Sequence, residues 1–153
     1  MVSKIVIDAD LVTSKVFLKL KGVAPKVFLL FLRRRKMTKV GKKGKEKWVI
    51  SNNGEIVFPY AEAKEKFGIT PPRFQRALDQ LVEHGFIDIV HSGGGMLRDI
   101  SKYSISERWL SYGTDSFIPQ YRQKDTRGLG FKKKEALKVG NENVTRTSNT
   151  NVT

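Results

Sequence analysis

The chain has 153 residues and no cysteine, which removes disulfides, cysteine-ligated zinc and thiol catalysis from consideration. It has two histidines, His84 and His91, and no carboxylate pair clustered with them, too few ligands for a metal site. No Ser-His-Asp set or two-carboxylate constellation is visible, so the reading is a non-enzyme without a cofactor. No apolar run approaches the roughly 20 residues of a membrane span. The longest, Val27 to Leu32, runs straight into Arg33, Arg34, Arg35 and Lys36. The N-terminus carries no signal-peptide core, which predicts an intracellular, cytoplasmic protein. Acids are scarce too: 15 Asp and Glu stand against 29 Lys and Arg, a net charge of +14. That balance points to a polyanionic partner, most often nucleic acid. An anionic membrane surface competes, but no amphipathic helix with a wide basic face is present.

The positive charge is unevenly placed. Residues 1–50 hold 14 Lys/Arg and 3 Asp/Glu, residues 51–112 hold 7 and 8, and residues 113–153 hold 8 and 4. The length suits one domain with appendages: an N-terminal arm over 1–23, a domain over 24–112, and a basic, largely disordered tail over 113–153. The tail is polar, carries a Lys132-Lys133-Lys134 run and repeats Asn-x-Asn-Val-Thr at Asn141 and Asn149. Its end is too poor in apolar residues to fold alone. Phe117, Ile118, Pro119 and Tyr121 are expected to pack back on the domain.

The domain is organised around Pro59 to Ile89. Tyr60 to Phe67 reads as a short helix ended by Gly68, which takes left-handed backbone at low cost. Ile69 plugs the turn. Thr70 is an N-cap candidate, with Pro71 and Pro72 in the first turn of a second helix, where a missing N–H does no harm. Phe74, Ala77, Leu78, Leu81 and Val82 recur at helical spacing and form one apolar face. Arg73, Arg76, Gln80 and Glu83 lie opposite, with Gln75 and Asp79 at the edge. Asp79 is placed to pair with Arg76 at i, i+3. Gly85 stops the helix, and Phe86 to Val90 reads as a strand with Ile87 and Ile89 on one face.

Ahead of this stretch, Lys4 to Ile7 is a strand candidate. Val12 to Leu20 is a short helical turn with Ser14 as N-cap. Ala24 to about Met37 is a helix, apolar over much of its circumference and so expected to be the most buried. Arg33 to Lys36 form its last turn and serve either as a solvated end or as a phosphate clamp. Thr38 to Lys47 is a flexible loop with Lys39, Lys42, Lys43, Lys45 and Lys47. Trp48 to Ile50 and Glu55 to Phe58 are two strands around Asn52-Asn53-Gly54, a strong hairpin signal. After the second helix, His91 to Gly95 is a loop without the Gly-Lys-Ser/Thr of a phosphate-binding loop, and Lys102 to Ile105 is a returning strand. Tyr60, Tyr103 and Trp109 are placed for the core.

A buried helix, two helices joined by a tight turn, and a hairpin with a glycine-rich tip describe an α+β winged helix-turn-helix, here with an extra N-terminal hairpin and a disordered C-terminal tail. Ala24 to Trp109 resembles the winged-helix superfamily. The stretches SKVFLKLKG, PKVFLLFLRRR, WVISNNGEIVFPYAEAKEKFGIT and GFIDI resemble small winged-helix proteins of plasmids and phages, among them the N-terminal domains of replication initiators and replisome organisers. The resemblance implies duplex DNA as partner, with the second helix in the major groove. It assigns Thr70, Arg73, Gln75, Arg76 and Gln80 to the reading helix, and Arg98 and Lys102 to the wing. Arg33, Arg34, Arg35, Lys36, Lys42 and Lys43 are the candidate phosphate contacts. The expected function is sequence-specific double-stranded DNA binding in transcriptional regulation, with a homodimer as a candidate form. The alternatives are a plasmid or phage replication or maintenance protein at origin DNA, and a protein-interaction winged helix whose basic flanks bind RNA or membrane.

Overall fold

The computed structural model describes residues 4–94 and 98–123. The chain divides into a compact unit, Met1–Arg122, and a stretch from Gln123 onward. The tail expectations beyond Gln123, with Gly95 of the glycine-rich loop, lie outside the described residues. The unit mixes helices with two small antiparallel sheets. The helices are α1 (Ala9–Thr13), α2 (Lys15–Leu18), α3 (Ala24–Arg33), α4 (Tyr60–Phe67) and α5 (Pro71–Glu83), followed by a 3-10 turn, Arg108–Ser111. The strands are β1 (Met37–Val40), β2 (Lys47–Ile50), β3 (Ile56–Val57), β4 (Ile87–His91) and β5 (Lys102–Ile105).

Two apolar stripes meet to make the core. On α3 the stripe is Ala24, Val27, Phe28, Phe31 and Leu32, all buried, at the i, i+3, i+4 spacing that places side chains on one helical face. Leu29 faces out, so α3 is one-sided rather than apolar all round. On α5 the stripe is Phe74, Ala77, Leu78, Leu81 and Val82, as its periodicity predicts. Rings connect the layers. Phe58 packs edge-on against Phe31 and Phe74, and Phe28 lies 5.0 Å from Phe86. Trp109 stacks on the other side of that group, against Phe86. Tyr103 is buried, and Tyr60 packs edge-on against Phe74.

The amino-terminal stretch contributes to the same core through Leu11, Val16 and Leu20. Ser14 caps α2 by accepting from the Phe17 amide. Lys4 to Ile7 has no strand. Beyond the 3-10 turn, Phe117 packs on Tyr112, whereas Ile118, Pro119 and Tyr121 are exposed.

The α4–α5 connection follows its sequence. Gly68 sits at φ 64 and its amide bonds back to α4, Ile69 is buried beneath the turn, and Pro71 and Pro72 open α5. Thr70 occupies the N-cap position, but its side chain makes no capping bond.

The strands pair differently from the sequence reading. The Asn52-Asn53-Gly54 turn does not close a hairpin between Trp48–Ile50 and Glu55–Phe58. Instead β2 pairs with β1, inside the segment expected to be a loop. β3 joins a separate three-stranded sheet in the order β3-β5-β4. Two asparagine side chains explain the switch. Asn52 accepts from the Lys36 amide at 2.7 Å and donates to the Arg34 carbonyl at 2.9 Å. This ends α3 at Arg33, short of the expected Met37. Asn53 accepts from the Ile105 amide and donates to its carbonyl. Its amide thus mimics a strand residue beside β5 ahead of where β3 begins. In the sheet Ile56, Tyr103, Ile105, Ile87 and Ile89 share the core-facing side, set by the pairs Ile56–Tyr103, Ile89–Tyr103 and Ile87–Ile105.

Gly85 is a tight joint between α5 and the 3-10 turn. It sits at φ 85, and a Cβ there would lie 2.7 Å from the Trp109 amide nitrogen, which donates to the Gly85 carbonyl. Gly85→Ala is expected to destabilise the chain by about 2 kcal/mol or more from backbone strain and overlap. Urea unfolding measures this, and a midpoint equal to that of the parent would contradict the assignment.

Candidate nucleic-acid interface

Because the apolar stripe of α5 turns inward, its other side faces out. Thr70, Pro72, Arg73, Gln75, Arg76 and Glu83 are exposed. Arg73 and Arg76 make no hydrogen bond or ion pair among the described residues. They therefore present full guanidinium forks, the geometry suited to bidentate recognition of phosphate or guanine. Asp79, the acid that sequence spacing pairs with Arg76, is held instead by Arg122 at 2.7 Å. Arg122 also donates to the Tyr60 hydroxyl. Burial would lower the pKa of Arg122, but the hydrogen bond to Asp79 and the nearby tyrosines raise it overall. The negative charge in the middle of the outward face is thus compensated, and Arg76 is left open. Nothing local in the sequence signals this pairing across 43 positions.

Gln80 does not belong with these residues. Its side-chain oxygen accepts from the Lys21 amide at 2.8 Å and its nitrogen donates to the Lys21 carbonyl at 3.3 Å. Both ends of the amide are occupied fastening the α2–α3 connection to α5.

The arginine cluster at the end of α3 splits in the same way. Arg33 and Lys36 are exposed. Arg34 folds back: its guanidinium lies 4.0 Å from the Phe58 ring centroid, bonds Glu62 at 2.9 Å and donates to the Val57 carbonyl. Arg35 donates to the carbonyls of Leu32 and Val6. Burial pulls its pKa below the ordinary value, against the opposing charge of Asp8. Arg34 and Arg35 therefore spend their donors within the fold. Arg108 is a further structural arginine. It bonds Asp88 and donates to the Val82 carbonyl, tying the end of α5 to the sheet.

The remaining candidates are peripheral. Lys102 pairs with Glu55 at 2.6 Å, an exposed contact of the kind that contributes little to stability. Arg98 is exposed at φ 73, a conformation that L residues seldom adopt, in the β4–β5 connection. Lys42 and Lys43 are exposed at the tip between β1 and β2. Among the described residues no group of three or more His, Asp or Glu is placed to hold a metal ion, and no helix is long and apolar enough to cross a membrane.

The Arg34–Glu62 contact has a pH consequence. The hydrogen bond from Arg34 holds the Glu62 carboxyl below its ordinary range; burial opposes this and Lys66 adds to it. Stability from the ionised carboxylate is fully present above the ordinary carboxylate pKa and is lost as pH falls through the lowered one. Glu62→Gln is expected to cost up to about 1 kcal/mol at neutral pH, with the gap closing in acid. Denaturant titrations across pH measure this, and a gap that persists unchanged in acid would contradict it. Comparison of the chain with protein-family models, with curated proteins and with solved structures finds no match.

Proposed function

We propose that residues 24–112 form a winged helix-turn-helix and that the protein binds double-stranded DNA sequence-specifically, as a transcriptional regulator. In this reading α5 lies in the major groove, and the β4–β5 connection with Arg98 lies beside it as the wing. The observation that carries the proposal is the contrast among arginines. Arg34, Arg35, Arg108 and Arg122 are consumed by internal partners, whereas Arg73 and Arg76 stand unpaired on the outward side of a helix fixed by its buried side. The short turn between α4 and α5 and the antiparallel β3-β5-β4 order support it, because a second helix held on such a scaffold is the element that reads base edges in the groove.

The charge pattern gives the docking a direction. Glu83 lies at the carboxyl end of α5 and Arg73, Gln75 and Arg76 at the amino end, so the helix meets the phosphates by its amino-terminal half, where the helix dipole also attracts anions. Arg73 and Arg76 are the guanine-reading candidates and Gln75 the adenine reader. Arg33 and Lys36 add phosphate contacts, which position the protein without reading sequence.

Arg73→Ala and Arg76→Ala are each expected to weaken binding to a duplex enriched from a random pool by about 5- to 150-fold, the equivalent of one bidentate base contact. Binding to random duplex should fall much less. Thermal stability should stay close to that of the parent, because both side chains are exposed. Gel shifts on the two duplexes read this directly. Unchanged affinity and unchanged selectivity in both variants would overturn the proposal. A footprint over a promoter, rather than over an origin, tests the regulatory role.

A further inference from the structure

The β1–β2 ribbon is the part of the chain that folding explains least. Every residue from Lys36 to Val49 is exposed and Ile50 is half-buried. Trp48 is 62% exposed and Val40 55%. A two-stranded hairpin by itself is marginally stable. This one is fastened at its base, where the Ser51 amide and hydroxyl donate to the Lys36 carbonyl and Asn52 bridges Arg34 and Lys36. From Met37 to the tip it reaches about 20 Å at the rise of a strand.

Its composition is selective. Lys36, Lys39, Lys42, Lys43, Lys45 and Lys47 face a single acid, Glu46, which is turned onto the Gly44 amide. The strand register places Met37, Lys39, Trp48 and Ile50 on one side, with the Lys39 ammonium 5.2 Å from the Trp48 ring centroid. Thr38, Val40, Lys47 and Val49 share the other. An open ribbon with apolar side chains on both faces invites edge-to-edge association, which lysines suppress. The same lysines complement a polyanion, and a two-stranded ribbon fits the width of the DNA major groove.

We propose that this ribbon is a second DNA-contacting element, separate from α5. The tip lysines Lys42, Lys43 and Lys45 hold backbone phosphates, and Trp48 with Lys39 lies against the sugar–base surface of the duplex. The inference rests on the reading that the partner is double-stranded DNA, but on different residues.

The chain has two tryptophans, so Trp109→Phe leaves Trp48 as the only indole. Titrating that full-length variant with random-sequence duplex is expected to quench its emission in step with binding seen by gel shift. Should Trp109→Phe fail to fold, the difference in emission change between the parent and Trp48→Phe gives the same reading. Replacing Lys42, Lys43 and Lys45 together with Ala is expected to lower the slope of log affinity against log salt by about one for each phosphate that is no longer neutralised. Binding without a change in Trp48 emission, together with an unchanged salt slope, would overturn the inference. So would a Trp48 change that follows protein concentration alone, which would mark the ribbon as a contact between two copies. Failure of the α5 reading looks different: selectivity survives Arg73→Ala and Arg76→Ala while Trp48 still responds to duplex.

Discussion

The rotation of α5 about its own axis is the constraint on which the surface depends. Phe74, Ala77, Leu78, Leu81 and Val82 are almost wholly inaccessible, and burying one large apolar side chain contributes roughly 1.5–3 kcal/mol. Turning the helix by one residue would expose several of them, at a cost comparable with the whole stability of a small domain. The direction of Arg73 and Arg76 is therefore set by the phenylalanine and leucines behind them. Phe28 and Phe31 on α3, with Phe58 and Phe86 from the sheet side, complete the surface that holds α5 in place.

Given that constraint, the arginines divide by what surrounds them. Arg34 has an aromatic ring, a carboxylate and a carbonyl within reach, and it is only partly exposed. Arg108 gathers Asp88 and the Val82 carbonyl near the end of α5. Arg122 returns to neutralise Asp79. Each of these forks uses its planar donors on the protein itself, a role a lysine would fill less well. The guanidinium groups on α5 have no such company. Among the described residues, the exposed cations without an ion pair include Arg73 and Arg76 on α5, Arg33 and Lys36 at the end of α3, and the lysines of the β1–β2 ribbon.

Much of the helical framework is legible in the sequence, because the signals are local. Gly68, the Pro71-Pro72 pair and the five-residue apolar stripe place α4 and α5 where they are observed, and Ser14 caps α2 as its position suggests. The strands are harder, because pairing is a tertiary decision. Asn52-Asn53-Gly54 has the composition of a hairpin turn, yet its side-chain amides bond to Arg34, Lys36 and Ile105 instead. Ile56 is drawn into the core beside Tyr103. The Thr38 to Lys47 stretch lacks a buried side and so shows no alternating pattern from which a strand could be read. Side-chain roles are the least legible. Arg33, Arg34 and Arg35 are identical in sequence, and only helix phase and the position of Phe58 separate the exposed one from the two that fold back. Gln80 has the spacing of a reader, but Lys21 occupies both ends of its amide.

Two populations of arginine underlie the proposed surface, one occupied by the protein and one open to solvent. Heteronuclear NMR of the arginine Nε–H groups, recorded before and after adding a duplex enriched from a random pool, tests this at the atoms concerned. The account predicts that the Arg73 and Arg76 signals shift and become protected from solvent exchange, while those of Arg34, Arg35, Arg108 and Arg122 hold their positions. Shifts confined to the second group, with Arg73 and Arg76 unmoved by bound duplex, would contradict it.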